Sequence, residues 1–174
     1  MNRPLVLLPQ DVFDATWRLL ASFAVPRGAE GVVYWFGVES PAYSIVTTLI
    51  VPNARSMRGG LHTSAMANAE VLESVVGTPL VLVGQAHSHP AEWVEHSPTD
   101  DRQTFAAFEG GISVVVPSFA AGAADFARCG VHRVLDGAFR LLGPPELDGH
   151  LRILPSVRDF RKTGLVRRSP RRAT

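Results

Sequence analysis

The segment Val32-Val33-Tyr34-Trp35-Phe36-Gly37 does most to limit what this chain can fold into. It joins β-branched and aromatic residues with no polar position between them. A strand with one face in water alternates apolar and polar side chains, so a strand without alternation is buried on both faces. Helical layers must then flank the sheet, and residues 10–24 supply one. There Val12, Thr16, Leu19, Leu20 and Phe23 repeat at helical spacing, and Pro26-Arg27-Gly28 stops the run. A second strand, Tyr43 to Val51, ends at Pro52-Asn53, and Ala54 to Leu61, with its Gly59-Gly60 pair, reads as a loop. Thr63 or Ser64 caps a helix that runs to about Val76 and stops at Gly77. Leu80 to Gly84 is a short buried strand. Ser97 as N-cap and Pro98 as first helical residue open a helix reaching about Phe108, and Gly110-Gly111 ends it. Ile112 to Val116 is a strand, and Phe126 to Leu135 with Ala138 to Leu142 form a hairpin around Asp136-Gly137. Pro144-Pro145 leads into a short final strand and helix. The order predicts one α/β domain over residues 1–160, with a mixed central sheet flanked by helices.

The length of 174 residues suits one domain, and a hydrophobic fraction of 46% is enough for its core. No apolar run approaches the ~20 residues that span a bilayer. The segment Met1 to Leu8 has one charge and lacks a cleavage site, so no signal peptide is expected. The single cysteine, Cys129, cannot form an intramolecular disulfide, which points to a cytoplasmic, reducing setting. Cys129 is placed in a strand as a small core residue. Charge is uneven: six of the 17 basic residues lie in residues 161–174, which hold none of the 16 acidic ones. That tail reads as a solvated end, or as a dock for an acidic partner or nucleic acid. No folded basic face supports nucleic-acid binding. Lys162 is the only lysine. That absence would limit self-modification near lysine-conjugating enzymes, but an arginine- and alanine-rich coding bias is the preferred explanation.

The chemistry is concentrated in His87-Ser88-His89-Pro90 and, after seven intervening residues from His89, Ser97-Pro98-Thr99-Asp100. At a strand end, residues i and i+2 point the same way, so His87 and His89 share a face and Ser88 turns from it. Asp100, in the first turn of the next helix, closes on the same spot. Two imidazoles and a carboxylate suit Zn²⁺ and leave the fourth tetrahedral position open for water. Ser97 and Asp100 alone fit a helix-capping box, which does not account for two histidines upstream. A metal-activated water needs a carboxylate to take and return its proton. Glu30, at the head of the buried strand, is one candidate, with Glu39, Glu92 and Glu95 as rivals. His62, His96, His132 and His150 lack ligand spacing and read as structural or solvated, although His96 lies near enough to meet substrate. A zinc nucleobase deaminase is excluded, because it needs a Pro-Cys-x-x-Cys pair.

These residues resemble the JAMM (MPN+) metalloprotease family. Its members pair a glutamate with a glycine-containing strand, as in Glu30-Gly31 to Gly37. They end a second strand at proline-asparagine, as at Pro52-Asn53, and read from a strand into His-Ser-His-Pro. The likeness spans residues 8 to 142, with Tyr34-Trp35-Phe36 bulkier than the family's small residues and leucines. It implies a cytidine-deaminase-like fold of the compact prokaryotic type. It further implies His87, His89 and Asp100 as zinc ligands, Glu30 as general acid/base, and Ser97 as hydrogen-bond donor to the oxyanion. The implied activity is hydrolysis of an amide or isopeptide bond after the glycine tail of a ubiquitin-like protein, in company with ubiquitin-like conjugation enzymes. Alternatives are removal of a small amino acid such as cysteine from a sulfur-carrier protein, or a non-catalytic scaffold. The Ala54–Leu61 and Pro90–His96 loops would flank the cleft, with Trp93 packing on substrate or anchoring its loop.

Overall fold

In the computed structural model, which describes residues 4–25, 28–57 and 60–157, the apolar segment lies in β2, Val32–Glu39, near the middle of an eight-stranded sheet. Around it run β1 (Leu5–Pro9), β3 (Tyr43–Ile50), β6 (Val81–Ser88), β7 (Ile112–Val116), β8 (Gly130–Leu135), β9 (Ala138–Leu141) and β10 (Leu151–Leu154). Their spatial order is β10-β1-β3-β2-β6-β7-β8-β9. β2 runs antiparallel to both neighbours, β6 and β7 are parallel, and β1 is parallel to β3 and β10. The sheet is therefore mixed, as expected.

Val32 through Gly37 are all buried, because each face of β2 packs on a different core. Val33 and Trp35 face a large core with Ile112, Val114 and Val116 of β7 and Phe13, Trp17 and Leu20 of α1, Gln10–Ala24. Trp35 is sealed there, and its Nε1 donates to Thr16 Oγ1 at 3.1 Å. Val32, Tyr34 and Phe36 face a smaller core with Val71 of α2, Ala65–Ser74. Ser64 caps α2 by accepting from Ala67 N. Gly37 has no room for a side chain: a Cβ there would lie 1.9 Å from the Ile45 carbonyl oxygen.

Several sequence expectations are corrected. The N-terminal apolar stretch, to which the sequence reading assigns no element, is β1, a paired strand inside the sheet. Most of the Ala54–Leu61 segment, read as a loop, belongs to a two-stranded hairpin, β4 (Ala54–Met57) with β5 (Gly60–Thr63). The helix expected to reach Phe108 is α3, Pro98–Gln103. It stops because Thr104 turns extended and the Gln85 side chain takes the amides of Phe105 and Ala106. Phe126–Arg128 is a 3-10 turn, and Cys129 follows it just ahead of β8 rather than within a strand. At the end the order is reversed: α4, Pro144–Leu147, precedes β10. The expected Asp136-Gly137 turn is present, both residues having positive φ. The basic segment 161–174, with Lys162, lies outside the described residues. Among the described residues no helix is long and apolar enough to cross a membrane.

Candidate metal centre

β6 delivers the two histidines. His87 is its penultimate residue and His89 follows it directly, so both leave the α2–α3 face of the sheet. Ser88 turns to the other side, where its Oγ accepts from Gly31 N at 3.0 Å. The backbone of His89 is held at both ends: its N–H donates to Val116 O at 2.9 Å, and its carbonyl accepts from Phe119 N at 2.7 Å. That second bond comes from an unusual turn, in which Ser118, Phe119 and Ala120 all adopt left-handed φ of 52 to 57°. Such a run of non-glycine residues costs about 1–2 kcal/mol each, an expense borne beside the site.

α3 delivers the carboxylate through the predicted capping box. Asp100 Oδ2 accepts from Ser97 N at 2.6 Å, while Ser97 Oγ accepts from Asp100 N at 3.2 Å. His87 Nε2 and His89 Nε2 lie 3.2 Å apart, and they stand 3.6 and 3.4 Å from Asp100 Oδ1 and Oδ2 respectively. A tetrahedral centre with bonds of about 2.0–2.1 Å separates its ligands by about 3.3–3.4 Å. The donor spacing and the donor chemistry both fit a divalent metal, and these three residues form a candidate metal-holding cluster.

Electrostatics agree. Burial lowers the pKa of His87 to about 3, against the opposing pull of Asp100, so its imidazole is neutral. Among the described residues, His87 Nδ1 is buried without a partner, and Nε2 makes the ring's polar contact. His89 Nδ1 meets Trp93 O at 3.2 Å, which places its proton there and bares Nε2. For Asp100, burial works to raise the pKa, but bonding to His89, the nearby His87 and Ser97 hold it below the ordinary carboxylate value.

The register also places Glu30. Val32 pairs with His87, and Ser88 N donates to Gly31 O at 3.0 Å. One more step along this ladder sets Glu30 across from His89, on the same face. Glu30 shares a cleft with Thr63, Gln85, His87, Asp100 and Gln103. Its pKa is raised, chiefly by burial, with His89 opposing and Asp100 adding to the shift. The rivals fall away: Glu39 lies at the opposite end of β2 from Glu30, Glu95 accepts from Val94 N in its own loop, and Glu92 pairs with Ser118 and Arg128. Trp93 packs against His89 with ring centroids 3.8 Å apart and planes tilted by 46°, so it anchors the loop while staying 43% exposed.

The His96 side chain is 4% exposed, with both ring nitrogens engaged. Its Nδ1 bonds Asp101 Oδ1 at 2.9 Å and its Nε2 bonds Ser113 Oγ at 3.0 Å. It stacks on His132 at 3.9 Å, and His132 bonds Val94 O. Asp101, His96 and Ser113 have the order of a nucleophilic triad, but Ser113 is fully buried, so the set braces α3 against the sheet. His62 is exposed on β5, and His150 bonds buried Arg133. Sequence spacing gave no signal for the bracing set, which joins a loop, α3, β7 and β8.

No family model matches the chain. It is similar to a protein of Sinorhizobium fredii described as "Probable metalloprotease y4jG": 32% identical over 133 residues, 74% of this chain and 81% of that protein. Among solved structures, it resembles a Desulfitobacterium hafniense protein solved in solution, with a TM-score of 0.64 and 13% identity. That match covers 88% of this chain and 95% of the other. A JAB1/MPN domain protein from Archaeoglobus fulgidus aligns with a TM-score of 0.49 and 13% identity, over 86% of this chain and 96% of its own.

Proposed function

The chain belongs to the JAMM (MPN+) metalloprotease family, and we propose that it is a zinc peptidase cutting the amide or isopeptide bond after the glycine tail of a ubiquitin-like protein. The observation that carries this reading is the convergence of His87, His89 and Asp100 at tetrahedral ligand spacing, with Glu30 on the same face.

His87 Nε2, His89 Nε2 and one Asp100 oxygen would hold the metal. A zinc ion held there would supply Lewis acidity, for polarising a carbonyl and for bringing the pKa of a bound water to about 7. Glu30 takes a proton from the attacking water and passes it to the leaving amine. Its half-buried position and raised pKa suit a group that must both accept and return a proton. Ser97 Oγ already accepts from Asp100 N, so its O–H is free to donate to the carbonyl oxygen as charge builds there. The β4–β5 hairpin and the loop carrying Trp93 flank the cleft, and an extended glycine tail, without side chains, passes between them.

The test compares wild type with Glu30→Gln. Bound zinc is quantified, and each protein is incubated with a ubiquitin-like protein fused through its diglycine tail to a reporter. One zinc in both, with cleavage by wild type alone, supports the proposal. Absence of zinc from both proteins sinks it and leaves a non-catalytic scaffold.

A further inference from the structure

The cleft contains a polar group that the reaction above does not use. Gln85 lies on β6 two residues before His87, so the two side chains leave the same face of the strand. Gln85 is 4% exposed. Its Oε1 accepts from Phe105 N at 2.9 Å and from Ala106 N at 3.4 Å. Two backbone donors at one end identify that end as the oxygen, and the planar carboxamide then turns its NH₂ the opposite way. Nε2 has no hydrogen-bond partner among the described residues and is not sealed from solvent, because Gln85 lines the cleft beside Glu30, His87 and Asp100. A donor held rigidly by its other end, and unused, is a built recognition point.

We propose that Gln85 is a specificity residue whose NH₂ donates to a backbone amide carbonyl of the substrate beside the scissile bond. This rests on the peptidase reading above. The surroundings select the acceptor. With zinc bound, the carboxylates Glu30 and Asp100 of the cleft offset the ion's charge, so nothing there repays the cost of desolvating an anionic acceptor, a cost that a neutral carbonyl does not carry. The site therefore favours a chain that continues as amides over a single amino acid that ends in a free carboxylate. A buried donor left unpaired in the complex also penalises substrates without that carbonyl.

The informative variant is Gln85→Glu. It keeps the shape and the oxygen that holds Phe105 and Ala106, and replaces the donor with an acceptor. On the diglycine-tail fusion, kcat/KM falls roughly 10- to 100-fold through KM, with zinc content unchanged. A second measurement does not depend on that variant's folding or on turnover. In ¹⁵N-labelled, zinc-loaded Glu30→Gln protein, the Gln85 side-chain NH₂ signals shift saturably with acetyl-triglycine amide and less with acetyl-diglycine free acid. Wild-type KM in Gln85→Glu, or NH₂ signals indifferent to the amide probe, overturns the inference. If wild type fails to cut the fusion, the peptidase reading fails, and the NH₂ titration still decides whether the cleft takes an amide carbonyl.

Discussion

Replacing His96 by Phe keeps a flat ring against His132 and deletes both of its hydrogen bonds. The two losses differ in weight. Asp101 is 53% exposed, so water replaces its partner and the cost is at most about 1 kcal/mol. Ser113 is fully buried. The Asp101 carboxylate can only accept, so His96 Nδ1 carries the proton and Nε2 accepts from the Ser113 hydroxyl at 3.0 Å. Without His96 that hydroxyl is stranded, at about 1–3 kcal/mol. The sum, about 1–4 kcal/mol, corresponds to a fall in unfolding temperature of roughly 2–16 °C for a chain of this size. Circular dichroism melts of the chelated protein read it directly. The reasoning also predicts coupling. Ser113→Ala alone strands Nε2, whereas the double variant strands nothing, so the pair costs about 1–2 kcal/mol less than the two singles together. Strict additivity, or a His96→Phe melt within about 1 °C of wild type, would refute the bracing role.

In the metal-free protein, Glu30 titrates above the ordinary carboxylate value because burial disfavours its charge, and zinc moves it down by adding positive charge nearby. Carboxyl ¹³C titration checks this, and an unchanged value on loading contradicts it. Burial lowers His87 to about 3 and His132 to about 4, so both stay neutral when folded but take up protons when unfolded near pH 5. Stability of the metal-free protein is thus full above about pH 6.5 and declines as pH falls toward 3–4, by up to about 1.4 kcal/mol per pH unit for each proton; a flat urea midpoint across that window contradicts it. Gly31→Ala places a Cβ 2.4 Å from the Phe23 ring. It costs about 1–3 kcal/mol and disturbs neighbouring Glu30, while Phe23→Leu in the same chain restores part of the stability; no restoration in denaturant melts points to another cause.

The parts of this molecule legible in the sequence are those set by local period. The helix Gln10–Ala24 follows from its 3.6-residue apolar repeat, and burial of β2 on both faces follows from its lack of alternation. The histidine pair follows from the two-residue strand period. By spacing alone Glu30 is one acid among four; the family resemblance singles it out, and the β2–β6 register sets it across from His89. The misread parts depend on partners distant in sequence. Leu5–Pro9 is too short to declare itself a strand without β3 and β10 beside it. Helix α3 ends where a side chain from β6 captures its next amides, which no reading of residues 98–108 reveals. Gln85 and Ser113 gave no spacing signal, because their roles come from elements that meet only on folding.

Strand β1 lies between β3 and β10, with Val6 opposite Leu151 and Pro9 opposite Leu154. A ribosome therefore releases the first strand of the sheet long before its outer neighbour. Until Leu151–Leu154 arrives, one row of backbone groups on β1 is an open template for strands of other chains. Closing it joins segments at opposite ends of the chain, a slow step by topology. The centre, built from residues 30 to 132, is complete earlier. Truncation ahead of Leu151 should therefore lower the yield of soluble protein far more than the activity of the molecules that do mature.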